Sequence, residues 1–283
     1  MLEKAKQYSR LKYNLALADM AVFMLFLLII QLSGASHAFK NLAHKISSNP
    51  FLALILYLAL IGTAYKICAF LLDYMRGFGI ERRFGLSTQN FTSWLGDYFK
   101  SLAIGFVIYA VILEFLYLSL RRFPENWWIL AAAFWFIFSV IIAKIFPVLI
   151  IPLFYKQRKI KDDAFKLKIL DLAEKSNVKV LDVYRIELGA KTKKANAAVT
   201  GIGKSKRILL SDTLMDKYTP EEIGLTLAHE FAHHKYHHFW KLSLFSFAIT
   251  ALGFLIIHIT FWHLLKILHI KQIYDMAALP ALV

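Results

Sequence analysis

Cysteine is nearly absent from this 283-residue chain, which contains Cys68 alone. That excludes an intrachain disulfide framework and any cysteine-rich zinc site. Cys68 itself sits in an apolar run, where packing is its default role. Acidic residues are scarce too: 19 Asp+Glu stand against 34 Lys+Arg, for a formal net charge of +15. They almost run out toward the C-terminus. After Glu230 no glutamate occurs, and Asp275 is the only acidic residue. Internal repeats and low-complexity stretches are missing, as is a convincing cleavable signal peptide. The basic start is followed by an apolar stretch as long as a full span, with no small-residue cleavage pattern at a fitting distance, so it reads as a retained first span.

What the chain has in excess is apolar surface. Hydrophobic residues make up 58%, against about 45–50% in a soluble globular chain. A helical span needs roughly 20 mostly apolar residues. Five segments meet that test: Leu15–Leu32, Phe51–Leu72, Leu102–Leu120, Trp127–Phe154 and Leu242–Leu268. A sixth apolar run begins near Met276 and reaches Val283. Trp127, Trp128 and Tyr155 sit where interfacial aromatics belong. Most spans carry an ionisable group: Asp19, Lys66, Glu114, Lys144 and His258. A charge at membrane depth must face protein or water. Five of them suggest helices around a polar interior, with edge placement and local pairing as the alternative for any single one.

The positive charge alternates between loops. Lys4, Lys6, Arg10 and Lys12 precede the first span, and only Lys40 and Lys45 follow it. Arg76, Arg82, Arg83 and Lys100 fill the next loop, and the long segment after the fourth span is rich in lysine. By the positive-inside bias, the N-terminus, the second loop and the long segment face the cytoplasm. Topology therefore accounts for the charge, and no nucleic-acid module is present.

The segment Tyr155–Trp240 is polar, and its pattern is that of a small α+β unit. Asp163 is placed to cap a helix whose apolar positions Phe165, Ile169 and Leu172 recur at helical spacing. Val178–Ile186, Asn196–Thr200 and Arg207–Leu210 read as strands. Thr219-Pro220-Glu221-Glu222 is a capping box with proline at the first helical position. The expected fold is mainly α: a polytopic α-helical membrane protein with an inserted small α+β domain. Its parts are a four-helix membrane region over 1–154, the inserted domain over 155–240, and a fifth helix with the start of a sixth over 241–283.

The helix opened by that capping box reads EEIGLTLAHEFAHHKYHHFW and contains His229-Glu230-Phe231-Ala232-His233, an H-E-x-x-H motif. Residues four apart share a helical face. Two imidazoles so placed suit one zinc ion, one per chain, at about 2.0–2.1 Å from each ring nitrogen. Glu230, beside the first ligand, is placed to take a proton from an attacking water and pass it to a leaving amine. Peptide hydrolysis is the natural outcome, so the inserted α+β domain over 155–240 reads as a zincin-like metallopeptidase domain. His234, His237 and His238 read as helix-end or supporting residues. A zinc site of this kind needs a third protein ligand, often a carboxylate. Either it comes from upstream, or the chain is a C-terminally incomplete version of a longer protein, which the sixth apolar run favours.

The chain resembles the type I CAAX prenyl proteases, integral-membrane zinc metalloendopeptidases, over nearly its whole length. The resemblance is carried by HEFAHHKYHH, Asn196-Ala197-Ala198-Val199-Thr200-Gly201 with Lys206-Arg207-Ile208, and Ser211-Asp212-Thr213-Leu214. Arg83-Phe84-Gly85-Leu86-Ser87 and Pro152-Leu153-Phe154-Tyr155-Lys156 add to it. It implies seven spans around an intramembrane chamber, with removal of the last three residues from isoprenylated C-termini, or membrane-protein turnover in bacterial members. It implies His229 and His233 as zinc ligands and Glu230 as the base. Asn196, Ala197 and Ala198 would lie on the strand that holds substrate backbone, and His238 would support the site. The family's E-x-x-x-D motif, which carries the third ligand, has no counterpart in this chain. The implied partners are a peptide or prenylated protein and the lipid bilayer. The implied location is a bacterial inner membrane or, in a eukaryote, the endoplasmic reticulum, with the catalytic domain facing the cytoplasm. The competing reading is a catalytically inactive scaffold or channel-like protein that retains the helix.

The single cysteine makes the topology testable. On a Cys68→Ala background, Lys6→Cys, Lys45→Cys and Lys217→Cys should divide cleanly. In intact cells a membrane-impermeant maleimide should label the Lys45 site and spare the other two until the membrane is opened. Labelling of the Lys217 site without permeabilisation would contradict the charge-based orientation.

Overall fold

The computed structural model describes residues 2–267 and 272–282. The last residue of the fifth expected span, Leu268, and the end of the sixth apolar run, Val283, lie outside the described residues. Among the described residues, five helices are long and apolar enough to cross a membrane: Glu3–Leu32, Pro50–Arg83, Phe91–Arg122, Trp127–Phe154 and His238–Thr260. Between 0% and 28% of each helix's most apolar window is buried inside the protein. Apolar surface on that scale needs a nonaqueous neighbour, so these helices are lipid-facing and the protein is an integral membrane protein.

Helix α1 (Leu2–Leu32) is followed by a short α2 (Ala35–Ile46) and by α3 (Pro50–Tyr74). Asn49 caps α3 by accepting the Phe51 and Leu52 N–H groups, and Pro50 sits at the first turn. A π turn, Met75–Gly79, carries α3 into α4 (Ile80–Arg83). Helix α5 (Phe91–Arg122) precedes α6 (Trp127–Ile145), which runs through a second π turn, Phe146–Ile150, into α7 (Ile151–Phe154). Pro147 lies in that second turn, where its missing N–H interrupts the regular ladder. The helices overrun the apolar windows because a helical backbone does not stop where hydropathy falls. Neither α2 nor α4 was expected, since each is shorter than a span.

The chain divides into two compact units. The first comprises Met1–Phe84, Trp94–Phe134 and Thr250–Val283, and the second Gly85–Ser93 and Trp135–Ile249. In the first unit, ionisable groups of the spans find partners on a neighbouring helix or, for Lys66, on the same helix. Asp19 accepts the Tyr65 hydroxyl at 3.1 Å and an Arg76 N–H at 3.1 Å. Lys66 meets Asp73 at 2.8 Å, and His258 Nδ1 accepts the Trp127 indole N–H at 3.1 Å. Local pairing thus accounts for Asp19, Lys66 and His258.

In the second unit a four-stranded mixed sheet runs in the order β1-β2-β4-β3. Its strands are β1 (Gln157–Lys159), β2 (Asp182–Ile186), β3 (Ala197–Thr200) and β4 (Arg207–Ser211). β2 and β4 are parallel, and the two outer strands are antiparallel to their neighbours. Residues alternate between faces along a strand. Val183, Ile208 and Leu210 therefore enter one core with Ala197 and Val199, while Ile186 and Leu209 enter a second with Ile151 and Tyr155. Helix α8 (Asp163–Lys175) covers the first face with Ile169 and Ala173. The expected strand over 178–186 forms only from Asp182. The expected cap, Asp163, is already helical, and it is Asp162 that accepts the Phe165 N–H at 3.0 Å.

Asp182 ties three of these elements together. Its buried carboxylate meets Lys159 of β1 at 2.9 Å and Lys166 of α8 at 2.7 Å, and accepts the Val183 N–H at 2.9 Å. Burial by itself would raise its pKa. The bonds from Lys166, Lys159 and Val183 outweigh burial and lower it from 3.8 to about 2. Because the folded carboxyl is harder to protonate than the unfolded one, the stabilisation is present above pH 4 or so and is lost as pH falls toward 2. Asp182→Asn should lower the unfolding free energy at pH 7 by about 2 kcal/mol. The deficit should shrink as thermal unfolding is repeated at successively lower pH. A deficit independent of pH would refute the electrostatic account.

Candidate active site

Helix α10 (Pro220–Lys235) carries the H-E-x-x-H motif. It starts on the capping box read from sequence. Thr219 Oγ1 accepts the Glu222 N–H at 3.3 Å, and Glu222 accepts the Thr219 N–H at 2.9 Å. Ile223, Leu227 and Phe231, one turn apart, are buried in the core against the sheet. This ridge fixes the helix's rotation about its own axis and leaves His229 and His233 exposed, with Glu230 half-buried.

The two ring nitrogens converge. His229 Nε2 and His233 Nε2 are 3.3 Å apart. Two nitrogens bound to one tetrahedral zinc at about 2.0–2.1 Å would stand about 3.3–3.4 Å from each other. The pair therefore fits a metal ion with no change of rotamer. Among the described residues no third His, Cys, Asp or Glu joins them as a metal cluster.

The sequence suggested a helix running on to Trp240, but α10 stops short of that. Tyr236 is its C-cap, and His237 adopts a left-handed conformation with φ 55°. Helix α11 (His238–Ile267) begins immediately after. In an uninterrupted helix, residues five apart point about 140° away from each other. The break instead returns His238 to His233, whose Nδ1 lies 2.8 Å from His238 Nδ1. One of those nitrogens must carry the proton. If His233 presents its Nε2 lone pair outward, its Nδ1–H donates to His238.

His234 links the motif helix to the sheet. Its Nε2 lies 3.0 Å from the Val199 carbonyl oxygen, an acceptor only, so Nε2–H is the donor. Burial holds this imidazole below its usual pKa. The link was not legible in the sequence, because a histidine repeat does not say which ring meets a strand 35 residues upstream.

Asn196, Ala197 and Ala198 fall where the outermost strand begins. Asn196 is exposed, Ala197 faces the core and Ala198 is half-buried. The Ser211 N–H donates to the Asn196 carbonyl at 2.9 Å. By the alternation of an antiparallel ladder, Ala198 and Thr200 then turn their backbone groups to β4. Ala197 and Val199 turn theirs to the open edge, where His234 takes the Val199 carbonyl.

Long lipid-facing helices together with a mixed sheet carrying an H-E-x-x-H helix define a membrane protein with a metallopeptidase-type unit. Comparison with known proteins agrees. Residues 1–156 match the model described as CAAX prenyl protease N-terminal, five membrane helices, and residues 159–276 match peptidase family M48. Four of the long apolar helices fall in the first region, and the fifth, His238–Thr260, falls in the second. The chain belongs to peptidase family M48, in its CAAX prenyl protease branch. It is 29% identical over 286 residues to the uncharacterized metalloprotease YhfN of Bacillus subtilis, covering 99% of this chain and 67% of that one. It is 30% identical over 201 residues to CAAX prenyl protease 1 of Saccharomyces cerevisiae, covering 70% of this chain and 44% of the yeast protein. Among solved structures, S. mikatae Ste24p superposes with a TM-score of 0.74 at 27% identity, covering 89% of this chain and 61% of that chain. The chain thus spans less than two thirds of the yeast relative and of the Ste24p chain.

The break at His237 can be probed directly. A left-handed conformation costs a non-glycine residue roughly 1–2 kcal/mol. His237→Gly should leave thermal stability unchanged or raise it by up to about 1 kcal/mol, and the β-branched His237→Val should lower it by a similar amount. Equal melting temperatures for the two variants would mean that the left-handed turn is not maintained in solution.

Proposed function

We propose that this chain forms the membrane and zinc-binding part of a zinc-dependent metalloendopeptidase. The observation that carries the reading is the 3.3 Å convergence of His229 Nε2 and His233 Nε2 on a helix that also bears Glu230. His229 and His233 would hold the ion. Zinc, when bound, acts as a Lewis acid that lowers the pKa of water to near 7 and polarises a carbonyl. Glu230 takes the proton of the attacking water and delivers it to the leaving amine nitrogen. His238 accepts the His233 Nδ1–H, which fixes the tautomer that leaves Nε2 as the ligand atom. Asn196, Ala197 and Ala198 begin an edge strand on which an extended substrate backbone can pair. In this reading a four-helix membrane region over 1–154 is followed by a peptidase domain over 155–240 and by a fifth membrane helix with the start of a sixth over 241–283.

The substrate class that best fits the family is a prenylated protein C-terminus of CAAX type, with membrane-protein turnover as the corresponding role in a bacterium. In this reading the peptidase domain lies on the cytoplasmic side of the endoplasmic reticulum membrane or, in a bacterium, of the inner membrane, and the distribution of basic residues among the loops supports it.

The test is made on the full-length protein, reconstituted and loaded with zinc. Glu230→Gln should retain zinc and lose about 10²–10⁴-fold in kcat on a prenylated CAAX peptide. His229→Ala and His233→Ala should lose the metal by elemental analysis. His238→Ala should weaken zinc binding about 10–100-fold. Hydrolysis by Glu230→Gln at the wild-type rate would overturn the mechanism. Cleavage of unfolded membrane proteins in preference to the prenylated peptide would shift the substrate class.

A further inference from the structure

Strand β3 has β4 as its one strand neighbour, with His234 on the Val199 carbonyl at its other edge, and the chain that delivers it, residues 187–196, has no helix or strand of its own. Ordering the backbone of such a loop costs roughly 1–2 kcal/mol per residue. Something must therefore fix where β3 starts, and two sequence blocks separated by more than 100 residues meet on this loop.

The first block is Ser211-Asp212-Thr213. Asp212 Oδ1 accepts the N–H groups of Leu188 and Gly189, each at 2.9 Å, and of Thr213 at 2.8 Å. The loop approaches so closely that a Cβ on Gly189 would lie 3.0 Å from Asp212 Oδ2. The Thr213 hydroxyl donates to the Lys194 carbonyl at 2.7 Å, and Ser211 Oγ accepts the Asn196 N–H at 2.9 Å. The second block is Leu86–Thr88, which in sequence lies between two membrane-length helices, Pro50–Arg83 and Phe91–Arg122. It runs antiparallel to the loop, with a bridge between Ser87 and Thr192. The Lys193 N–H donates to the Leu86 carbonyl at 2.8 Å, and the Thr88 N–H to the Lys191 carbonyl at 3.1 Å. The Thr192 hydroxyl donates to the Leu86 carbonyl at 3.0 Å, and the Thr88 hydroxyl to the Gly189 carbonyl at 2.8 Å.

We propose that Leu86–Thr88 and Asp212 form a clamp that sets the position of the substrate strand β3, making Thr88, Thr192 and Asp212 positioning residues of the peptidase site. The proposal rests on the reading of β3 as the substrate-pairing edge. Among the described residues, the clamp's hydrogen bonds run to the loop 188–194 and not to the motif histidines or Glu230. Loosening it therefore disturbs the pairing of a long substrate and leaves the chemical step alone. It also makes the connection between two membrane helices a determinant of substrate affinity.

The experiment uses the full-length, zinc-loaded protein and the double variant Thr88→Val/Thr192→Val, which removes the two hydroxyl donations and the Lys194 N–H bond to Thr192 Oγ1, and keeps the backbone bridge. KM for a long peptide substrate should rise about 3–10-fold, with kcat and zinc content unchanged. A substrate too short to pair with β3 should be cleaved as by wild type. Asp212→Ala should show the same split more strongly, and Asp212→Asn, which keeps an acceptor oxygen, should restore most of it. Amide hydrogen exchange over 194–200 should quicken in the double variant and in Asp212→Ala. A fall in kcat at constant KM, or unchanged exchange over 194–200, overturns the clamp. Faster exchange in a wild-type background that hydrolyses nothing would uphold the clamp and refute the peptidase reading instead.

Discussion

One helical turn advances about 5.4 Å along the axis, yet the Nε2 atoms of His229 and His233 stand 3.3 Å apart. The rings must lean toward each other over an unbroken turn, and that lean survives only if α10 is regular between them and fixed in rotation. The surrounding architecture supplies both conditions. Thr219, Pro220 and Glu222 start the helix cleanly. Ile223, Leu227 and Phe231 lock one face into the sheet core, so the opposite face has no freedom to turn. His234 adds a polar tie to β3 at 3.0 Å. The break at His237 ends the helix one residue before it would carry His238 out of reach.

The membrane imposes a second constraint. Lipid offers backbone groups no partners, so the long apolar segments are helical throughout their described residues, and the first four extend past their hydrophobic windows or fill them. Charged side chains on them pair with a neighbouring helix, as Asp19 does with Arg76, or along their own helix, as Lys66 does with Asp73 two turns on. The short connection Gly85–Ser93 is different. Its sequence neighbours are membrane-length helices, but it packs as part of the second unit, where its backbone completes an antiparallel bridge. The Leu86 carbonyl, the Thr88 N–H and the Thr88 hydroxyl all find partners on the loop that leads to β3.

Much of this was legible from residue patterns. The five apolar runs, the capping box at Thr219 and the motif itself depend on interactions within about four residues along the chain, and local patterns report local interactions well. The misreadings have the same origin. Asp162 and Asp163 are both competent caps, and only the backbone conformation distinguishes them. β1 is three residues long and exists because β2 lies beside it to accept its pairing, so no periodicity announces it. The expected continuation of α10 to Trp240 failed because every residue there tolerates a helix, and the left-handed turn at His237 is set by where α11 must start.

The linear sequence by itself determined that the chain enters a membrane, that one capped helix bears two imidazoles and a carboxylate at metal-site spacing, and that a small polar α+β unit surrounds it. Hydropathy, capping and a four-residue repeat are sufficient for each. Only the tertiary structure decided that His238 returns to His233, that His234 secures the edge strand, and that Leu86–Thr88 and Asp212 close on one loop. Those contacts join residues separated by a reversal of the chain or by a hundred positions. Their partners are chosen by folding in three dimensions, which no window along the sequence samples.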